Sequence, residues 1–336
     1  MPKSIVIYSY YQKNDEYIKN LEFFIKNGLY DDIDYIFCIN GNECSVDIPS
    51  SSNIKIIKRE NVGYDFGAYS DALKQINIKL YDYFFFINTS VRGPFIHEKE
   101  RLHVKWTDPF IKLFKKDVAL VGTTINILEV TDPHIIKSMY LDLLIEKGFT
   151  SPFTHVQSQF FVFNKKSLKF LIDKKFFEQT SEQNFIKFIA LREVLMSQLI
   201  LKNGWNINCM LPKYQGLDYR KVEHDINKTS VDGDPYYPGA YFGNSIEPYD
   251  VMFIKTNRNV SPDKVIQLTD QYYISNIHSQ SEITVEPFDS LPPRIFNFNK
   301  KNMLISFIIF TVLVLLLVSY KKNSKKIKIY LDKFNI

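Results

Sequence analysis

Compact apolar runs alternate with stretches of helical spacing through the first two-thirds of the chain. Ile5–Tyr10 (IVIYSY), Asp34–Asn40 (DYIFCIN) and Ile54–Lys58 (IKIIK) are short and rich in β-branched and aromatic residues, which predicts strands. Between the first two, Ile18, Leu21, Phe24 and Ile25 fall on one helical face and predict a helix over Asp15–Asn27. Tyr64–Ile76 predicts a second helix, with Asp65 as its N-cap after Gly63. Tyr83–Ile87 (YFFFI) holds no charged position, the pattern of a strand buried on both faces. A helix near Asp108–Lys115, a strand at Val118–Thr123 and an apolar run at Gln159–Asn164 follow. A helix over Arg192–Asn203, ended by Gly204, leads into a strand at Trp205–Leu211. Such alternation predicts an α/β domain whose mostly parallel sheet is flanked by helices. Residues 212–262 are rich in Tyr, Pro, Gly and Asp and predict long ordered loops.

The pattern changes at the C-terminus. Met303–Tyr320 (MLISFIIFTVLVLLLVSY) runs without a charge, long enough as a helix to span roughly 27 Å, and is bracketed by Lys300–Lys301 and Lys321–Lys322. It predicts a single transmembrane helix. The domain expectation is therefore a body at 1–278, a proline-bearing linker at 279–302, a membrane helix at 303–320 and a Lys-rich tail at 321–336. The net charge of +5 resides in that tail, because residues 1–302 hold equal numbers of basic and acidic side chains. A neutral body lacks the basic face a nucleic-acid backbone requires. Two signals compete over orientation. The Lys-rich tail favours the cytoplasmic side, yet MPKSIVIYSYYQKND is no signal peptide. The expectation taken is a single-pass protein, C-terminally anchored in the lipid bilayer, with a cytosolic body; N-glycans on the sequons at Asn88, Asn227 or Asn259 would reverse it. Three cysteines (Cys38, Cys44, Cys209) form no disulfide framework, and no Cys/His cluster has the spacing of a zinc site.

Ligands of open parallel sheets bind at the carboxyl ends of strands, which directs attention to Ser9–Tyr10, Asn40–Asn42, Arg59–Gly67 and Asn88–Pro94. In Glu60-Asn-Val-Gly-Tyr-Asp-Phe-Gly-Ala-Tyr69, a glycine turn opens a helix whose free N–H groups suit an anion. Asp65 there would repel phosphate and suits a sugar hydroxyl. The bland alternative has Gly63 making the turn, Asp65 capping the helix and Gly67 allowing close packing. In Asn88-Thr-Ser-Val-Arg-Gly-Pro-Phe95 a buried strand delivers Asn88 and Ser90 to one side, followed by Arg92, a cation suited to a diphosphate. Glu193, in Glu193-Val-Leu-Met-Ser-Gln-Leu, is either a general base or a favourable charge in the first turn of a helix.

The order of these pieces resembles the GT-A class of nucleotide-sugar glycosyltransferases, and the chain is similar to the rhamnan-synthesis protein F type over about residues 3–260. Asn61-Val-Gly-Tyr-Asp-Phe-Gly-Ala-Tyr resembles that family's Asn-x-Gly-x-Asp-x-Gly-Ala-Tyr segment. Asn88-Thr-Ser stands where many GT-A enzymes carry Asp-x-Asp, Glu193 precedes Gly204-Trp205 as inverting members place their acidic residue, and His155-Val-Gln-Ser-Gln resembles an acceptor-side segment. The resemblance implies a GT-A-like, Rossmann-type fold. It implies a hexosyl- or deoxyhexosyltransferase that moves a sugar from a nucleotide-diphosphate donor to a glycan or other hydroxyl, as in polysaccharide biosynthesis. Glu193 would be catalytic. Ser9, Tyr10, Asn61, Gly63, Asp65, Asn88, Ser90 and Arg92 would bind the donor; His155 and Gln157 would face the acceptor; Asn88 and Ser90 would hold Mg²⁺ or Mn²⁺. Neutral Asn and Ser replace the usual acids, and only Glu43 stands where the family has its uracil-contacting acid. A competing reading is a catalytically degenerate GT-A-like carbohydrate-binding or scaffold protein. A nucleotidyltransferase is disfavoured because no glycine-rich, Lys/Arg-bearing loop follows the first strand.

Overall fold

A computed structural model describes residues 2–178, 182 and 184–282. The chain divides into a unit running to Asn276 and a second, Ile277–Ile336, described only where it completes the helix Pro262–Glu282. The features below belong to the first unit. Its main sheet has seven strands: β1 (Ser4–Tyr10), β2 (Asp34–Asn40), β3 (Ile54–Arg59), β4 (Tyr83–Asn88), β6 (Val118–Gly122), β9 (Phe160–Asn164) and β10 (Asn206–Cys209), in the order β10-β6-β9-β4-β1-β2-β3. Two small antiparallel pairs accompany it, β5 (Val91–Arg92) with β11 (Ile254–Lys255) and β7 (Ile125–Leu128) with β8 (Phe153–Val156). Every neighbour pair in the large sheet is parallel except those of β9, which runs antiparallel to β4 and β6.

The all-apolar β4 explains the layering. Strand alternation sends Phe84 and Phe86 into one aromatic core and Phe85 and Ile87 into the opposite one, so both faces need a cover. On the first face Phe86 stacks on Phe161 with ring centroids 4.8 Å apart. That core is closed by α2 (Tyr64–Leu73) and the helices Lys165–Asp173 and Leu195–Lys202. On the second, α1 (Asp15–Gly28) contributes Leu21 and Phe24, joined by Trp106 and Phe110. Asn14 caps α1 by accepting from the Tyr17 N–H, and Asp15 and Glu16 complement its dipole. β3 lies at the sheet edge, where exposed Lys55 and Lys58 oppose pairing with another chain.

Several expectations change. α2 ends at Leu73, and its N-cap is Gly63 (φ 73°), which frees the Asp65 side chain from capping. The β7–β8 hairpin was not anticipated, because its two short strands are separated by the helices Pro133–Ser138 and Asp142–Ile145. The helix Pro262–Glu282 takes the first residues of the expected linker. Residues 212–262 do form loops, interrupted only by Pro212–Tyr214, Pro248–Val251 and β11. The thiols of Cys38 and Cys209 are buried and free, and Cys44 is partly exposed. Among the described residues no helix is long and apolar enough to cross a membrane. The expected membrane helix Met303–Tyr320, the linker from 283 to 302 and the tail 321–336 lie outside the described residues.

Candidate active site

Because β1 to β4 run in one direction, their carboxyl ends share a rim, and a chain of hydrogen bonds links them. Arg59 Nη1, at the end of β3, donates to Asn40 Oδ1 (2.5 Å) at the end of β2. Asn40 Nδ2 donates to Ser9 Oγ (3.0 Å) and to the Tyr10 carbonyl (2.9 Å), an acceptor only, which fixes the amide orientation. The Ser9 hydroxyl bonds the Asp65 carboxylate. Asn88 Nδ2, at the end of β4, donates to Asp65 Oδ2 (2.8 Å) from the other side. Gly67 allows the Arg59–Val62 segment to lie on α2: a Cβ there would sit 2.1 Å from the Val62 carbonyl oxygen, which accepts from Arg59 Nη2 (2.8 Å). The packing role read for Gly67 and the exposure of Asp65 to chemistry are therefore compatible.

The antiparallel course of β9 brings a second group to the same rim. Its first residue, Phe160, pairs with Ile87, and the Asn88 N–H donates to the Gln159 carbonyl (3.1 Å). Ser158, one residue earlier, donates its N–H (2.7 Å) and its hydroxyl to Glu193 Oε2. Glu193 is not at a helix start. It lies within a π-helical turn, Ala190–Val194, between the helices Phe185–Ile189 and Leu195–Lys202. The extra residue of that turn explains how a carboxylate projects from a helix whose buried Ser197 and Gln198 bond β8 through the Val156 N–H (2.9 Å) and the Thr154 carbonyl (2.8 Å). Beneath Glu193 sits buried His155. Its Nδ1 donates to the Phe153 carbonyl oxygen (2.7 Å), and its Nε2 faces Glu193 Oε1 at 3.6 Å.

Two carboxyl groups on one rim are thus tuned apart. Burial pushes Asp65 up to about 6, with the charge of Glu193 acting the same way against the bonds from Asn88 and Ser9. Burial also opposes ionisation of Glu193, but His155, Lys255 and Ser158 outweigh it and hold that carboxyl down to about 2. For Asp65 the folded value lies above the unfolded one. Its contribution to stability is complete below the ordinary carboxylate range and is lost as pH rises through about 6. Asp65→Asn should therefore be more stable than the parent at pH 8 and not at pH 4, by an amount on the order of 3 kcal/mol, measured by calorimetry.

Lys255 completes the site and was not a sequence candidate. β11 pairs with β5 so that Lys255 lies opposite Val91, and the Thr256 N–H donates to the Ser90 carbonyl (3.0 Å). Its ammonium interacts electrostatically with Glu193, Asp234 and Asp65. No sequence periodicity marks this position; a lysine after the buried run Val251–Ile254 is the only hint.

Other expected site residues are elsewhere. Tyr10 points to the opposite face of β1, into the aromatic core, because neighbouring strand residues alternate. Arg92 is buried beneath α1, donating to Asn20 Oδ1 (3.0 Å), Thr269 Oγ1 (3.4 Å) and Glu16 Oε1 (2.7 Å), so it cannot face a diphosphate. Gln157 is buried against Thr124 Oγ1 (2.6 Å), and His155 supports Glu193 from below. Asn61 is exposed beside the rim and Gly63 forms the turn. Of the three sequons, Asn227 has its amide buried on Tyr214 and Ala240, Asn88 belongs to the rim, and Asn259 is exposed.

The residues expected to hold Mg²⁺ or Mn²⁺ make a poor site for one, because the Ser90 hydroxyl, which donates to Asn88 Oδ1, is the one oxygen of the pair left with free lone pairs and it carries no charge. Asn88 Oδ1 accepts the Ser90 N–H (3.0 Å) and hydroxyl (2.6 Å), so both lone pairs are used. That backbone donor also fixes the amide, leaving Asn88 to present N–H, not oxygen, towards Asp65. Among the described residues no cluster of three His, Cys, Asp or Glu side chains could hold a metal ion.

No curated protein matches the sequence. Among solved structures, a mannosyltransferase from Pyrobaculum calidifontis in complex with GDP-mannose and Mn²⁺ is similar at 13% identity and TM-score 0.36, over 62% of this chain and 54% of that one. Glucosyl-3-phosphoglycerate synthase from Mycobacterium tuberculosis, in complex with Mn²⁺, UDP and phosphoglyceric acid, is similar at 14% identity and TM-score 0.31, over 50% and 57%. 4-Diphosphocytidyl-2C-methyl-D-erythritol synthase from Anaerococcus prevotii is similar at 11% identity and TM-score 0.36, over 62% and 88%. The chain spans little more than half the length of the first two, and at these scores the likenesses carry no argument about chemistry. The family comparison is decisive: the model of rhamnan synthesis protein F matches residues 48–230. That match takes in the Asp65 segment, the Asn88 turn and Glu193, and it covers more than half of the sequence; the chain belongs to the rhamnan synthesis protein F family of glycosyltransferase-like proteins.

Proposed function

We propose that the protein is a GT-A-type glycosyltransferase that takes a sugar from a nucleotide-diphosphate donor and places it on a hydroxyl of a glycan or other acceptor. One observation carries the reading: Asp65, Asn88 and Glu193, far apart in sequence, gather on a single rim of the sheet, and Lys255 lies within electrostatic reach of both carboxylates. In the transfer, the acceptor oxygen bonds the anomeric carbon while the bond to the diphosphate breaks and its electron pair leaves with phosphate. The acceptor proton passes to Glu193, which His155 and Ser158 orient. Asp65 and Asn88 position donor hydroxyls.

The test is a transfer and hydrolysis assay of the full chain against a panel of UDP-, GDP-, dTDP- and CDP-sugars. Turnover of one donor supports the proposal, and binding of none defeats it. We also propose that Met303–Tyr320 anchors the protein in a bilayer with the body on the cytosolic side. Protease digestion of the body in sealed, cytosol-side-out vesicles checks this, and a protected body contradicts it.

A further inference from the structure

A departing diphosphate gathers negative charge that a cation must stabilise. Of the two residues expected to hold a metal ion here, Asn88 turns its amide N–H to Asp65 and has its oxygen taken up by Ser90, which leaves the neutral Ser90 hydroxyl as the one available oxygen of the pair. We infer that Lys255, seconded by Arg258, is the fixed cation that binds the diphosphate of the donor, so that the site takes a nucleoside diphosphate without a divalent metal ion. The inference rests on the glycosyltransferase reading and deepens it.

The lysine is placed rigidly. Its backbone is paired to Val91, and the next residue bonds the Ser90 carbonyl with both its N–H (3.0 Å) and its hydroxyl (3.3 Å). That clamp fixes it to the turn following Asn88, at the carboxyl end of β4. Its ammonium lies 5.7 Å from the centre of the Tyr236 ring, and among the described residues no carboxylate oxygen lies within 4.0 Å of it. Neighbouring anions have other partners. Asp234 Oδ2 lies 3.8 Å from Arg258 Nη2 and its Oδ1 accepts the Tyr236 N–H (2.8 Å), while Glu193 is held by Ser158 and faces His155. Asp65 accepts from Asn88 and Ser9. The carboxylates therefore aim the ammonium without capturing it, which leaves it able to pair with an entering phosphate. Burial also lowers the lysine's proton affinity, so this cation would be strengthened by an anionic ligand.

The same arrangement couples binding to chemistry. Lys255 is one of the charges that hold Glu193 ionised at low pH. A bound diphosphate would draw on that charge, and Glu193 would become the better base when a donor is in place. When the sugar–phosphate bond breaks, the electron pair remains on the diphosphate beside Lys255 and the acceptor proton moves to Glu193.

The experiment titrates UDP, GDP, dTDP and CDP into the full chain by calorimetry, once with excess EDTA and once with Mg²⁺ or Mn²⁺. The inference expects one diphosphate to bind with EDTA about as tightly as with metal, and Lys255→Met to weaken that binding by at least about tenfold while Lys255→Arg restores part of it. Arg258→Gln gives a second, smaller loss and serves if the Lys255 variants do not fold. Binding that appears only with Mg²⁺ or Mn²⁺, or that Lys255→Met leaves intact, overturns the inference while the glycosyltransferase reading stands. Absence of diphosphate binding under both conditions overturns both.

Discussion

Replacement of Glu193 by Gln is expected to remove sugar transfer while leaving nucleotide binding in place. The side chain is isosteric, and its remaining carbonyl oxygen can still accept the Ser158 N–H that now lies 2.7 Å from Oε2. What is lost is the negative charge facing His155 Nε2 at 3.6 Å and the capacity to take the acceptor proton. General-base contributions are typically about 10²–10⁴-fold, so kcat should fall within that range while a nucleoside diphosphate still binds, its affinity shifted only through the coupling of Glu193 to Lys255. The variant is also expected to be less stable near neutrality. The Glu193 carboxyl is held down to about 2, so its contribution to stability is present above the ordinary carboxylate range and is lost as pH falls towards 2. Rates should therefore be normalised to folded protein by calorimetry. Turnover within about tenfold of the parent would exclude Glu193 as the base, and a protein that binds diphosphate but shows no turnover to lose would favour the degenerate, carbohydrate-binding alternative.

Gly67→Ala is expected to distort the rim and destabilise the protein. The new Cβ would lie 2.1 Å from the Val62 carbonyl oxygen and 2.9 Å from Arg59 Nη2, so backbone must move. Overpacking of this kind costs about 1–3 kcal/mol, and here it also displaces the acceptor of an Arg59 bond. Arg59 begins the relay through Asn40 and Ser9 to Asp65, so donor affinity should fall together with the melting temperature. A variant that melts within about a degree of the parent would show that the segment from Arg59 to Val62 is free to lift away.

The strands and the rim were legible because local rules sufficed for them. An uninterrupted apolar run such as Phe84-Phe-Phe-Ile87 has two faces to bury, and polar residues directly after it, Asn88 and Ser90, must emerge at the sheet's end. The same logic placed Asn40 and the turn before α2. Arg92 was misread because nearness to Asn88 in sequence says nothing about the pairing of β5 with β11, which turns the guanidinium towards Asn20 and Glu16. Ser9 and Tyr10 could not both face a ligand, since adjacent strand residues point to opposite faces. For Glu193 the residues left a general base and a favourable helix-start charge both open, and only family resemblance pointed to the former. Its projection depends on a π turn, which has no residue signature here. Lys255 was hidden for a related reason: it is brought to the rim by a two-residue strand inside aromatic loops, a contact across more than 160 positions of sequence that no local pattern encodes.

The central claim is that one rim of this sheet receives a sugar nucleotide. Its most direct test is an experimental structure of the full chain with whichever of UDP, GDP, dTDP or CDP it binds. The account predicts the diphosphate between Lys255 and the Asn88 turn, with Asp65 and Glu193 on the side where the sugar would lie. A nucleotide seated on another surface, or one whose phosphates avoid Lys255 and the end of β4, would contradict it.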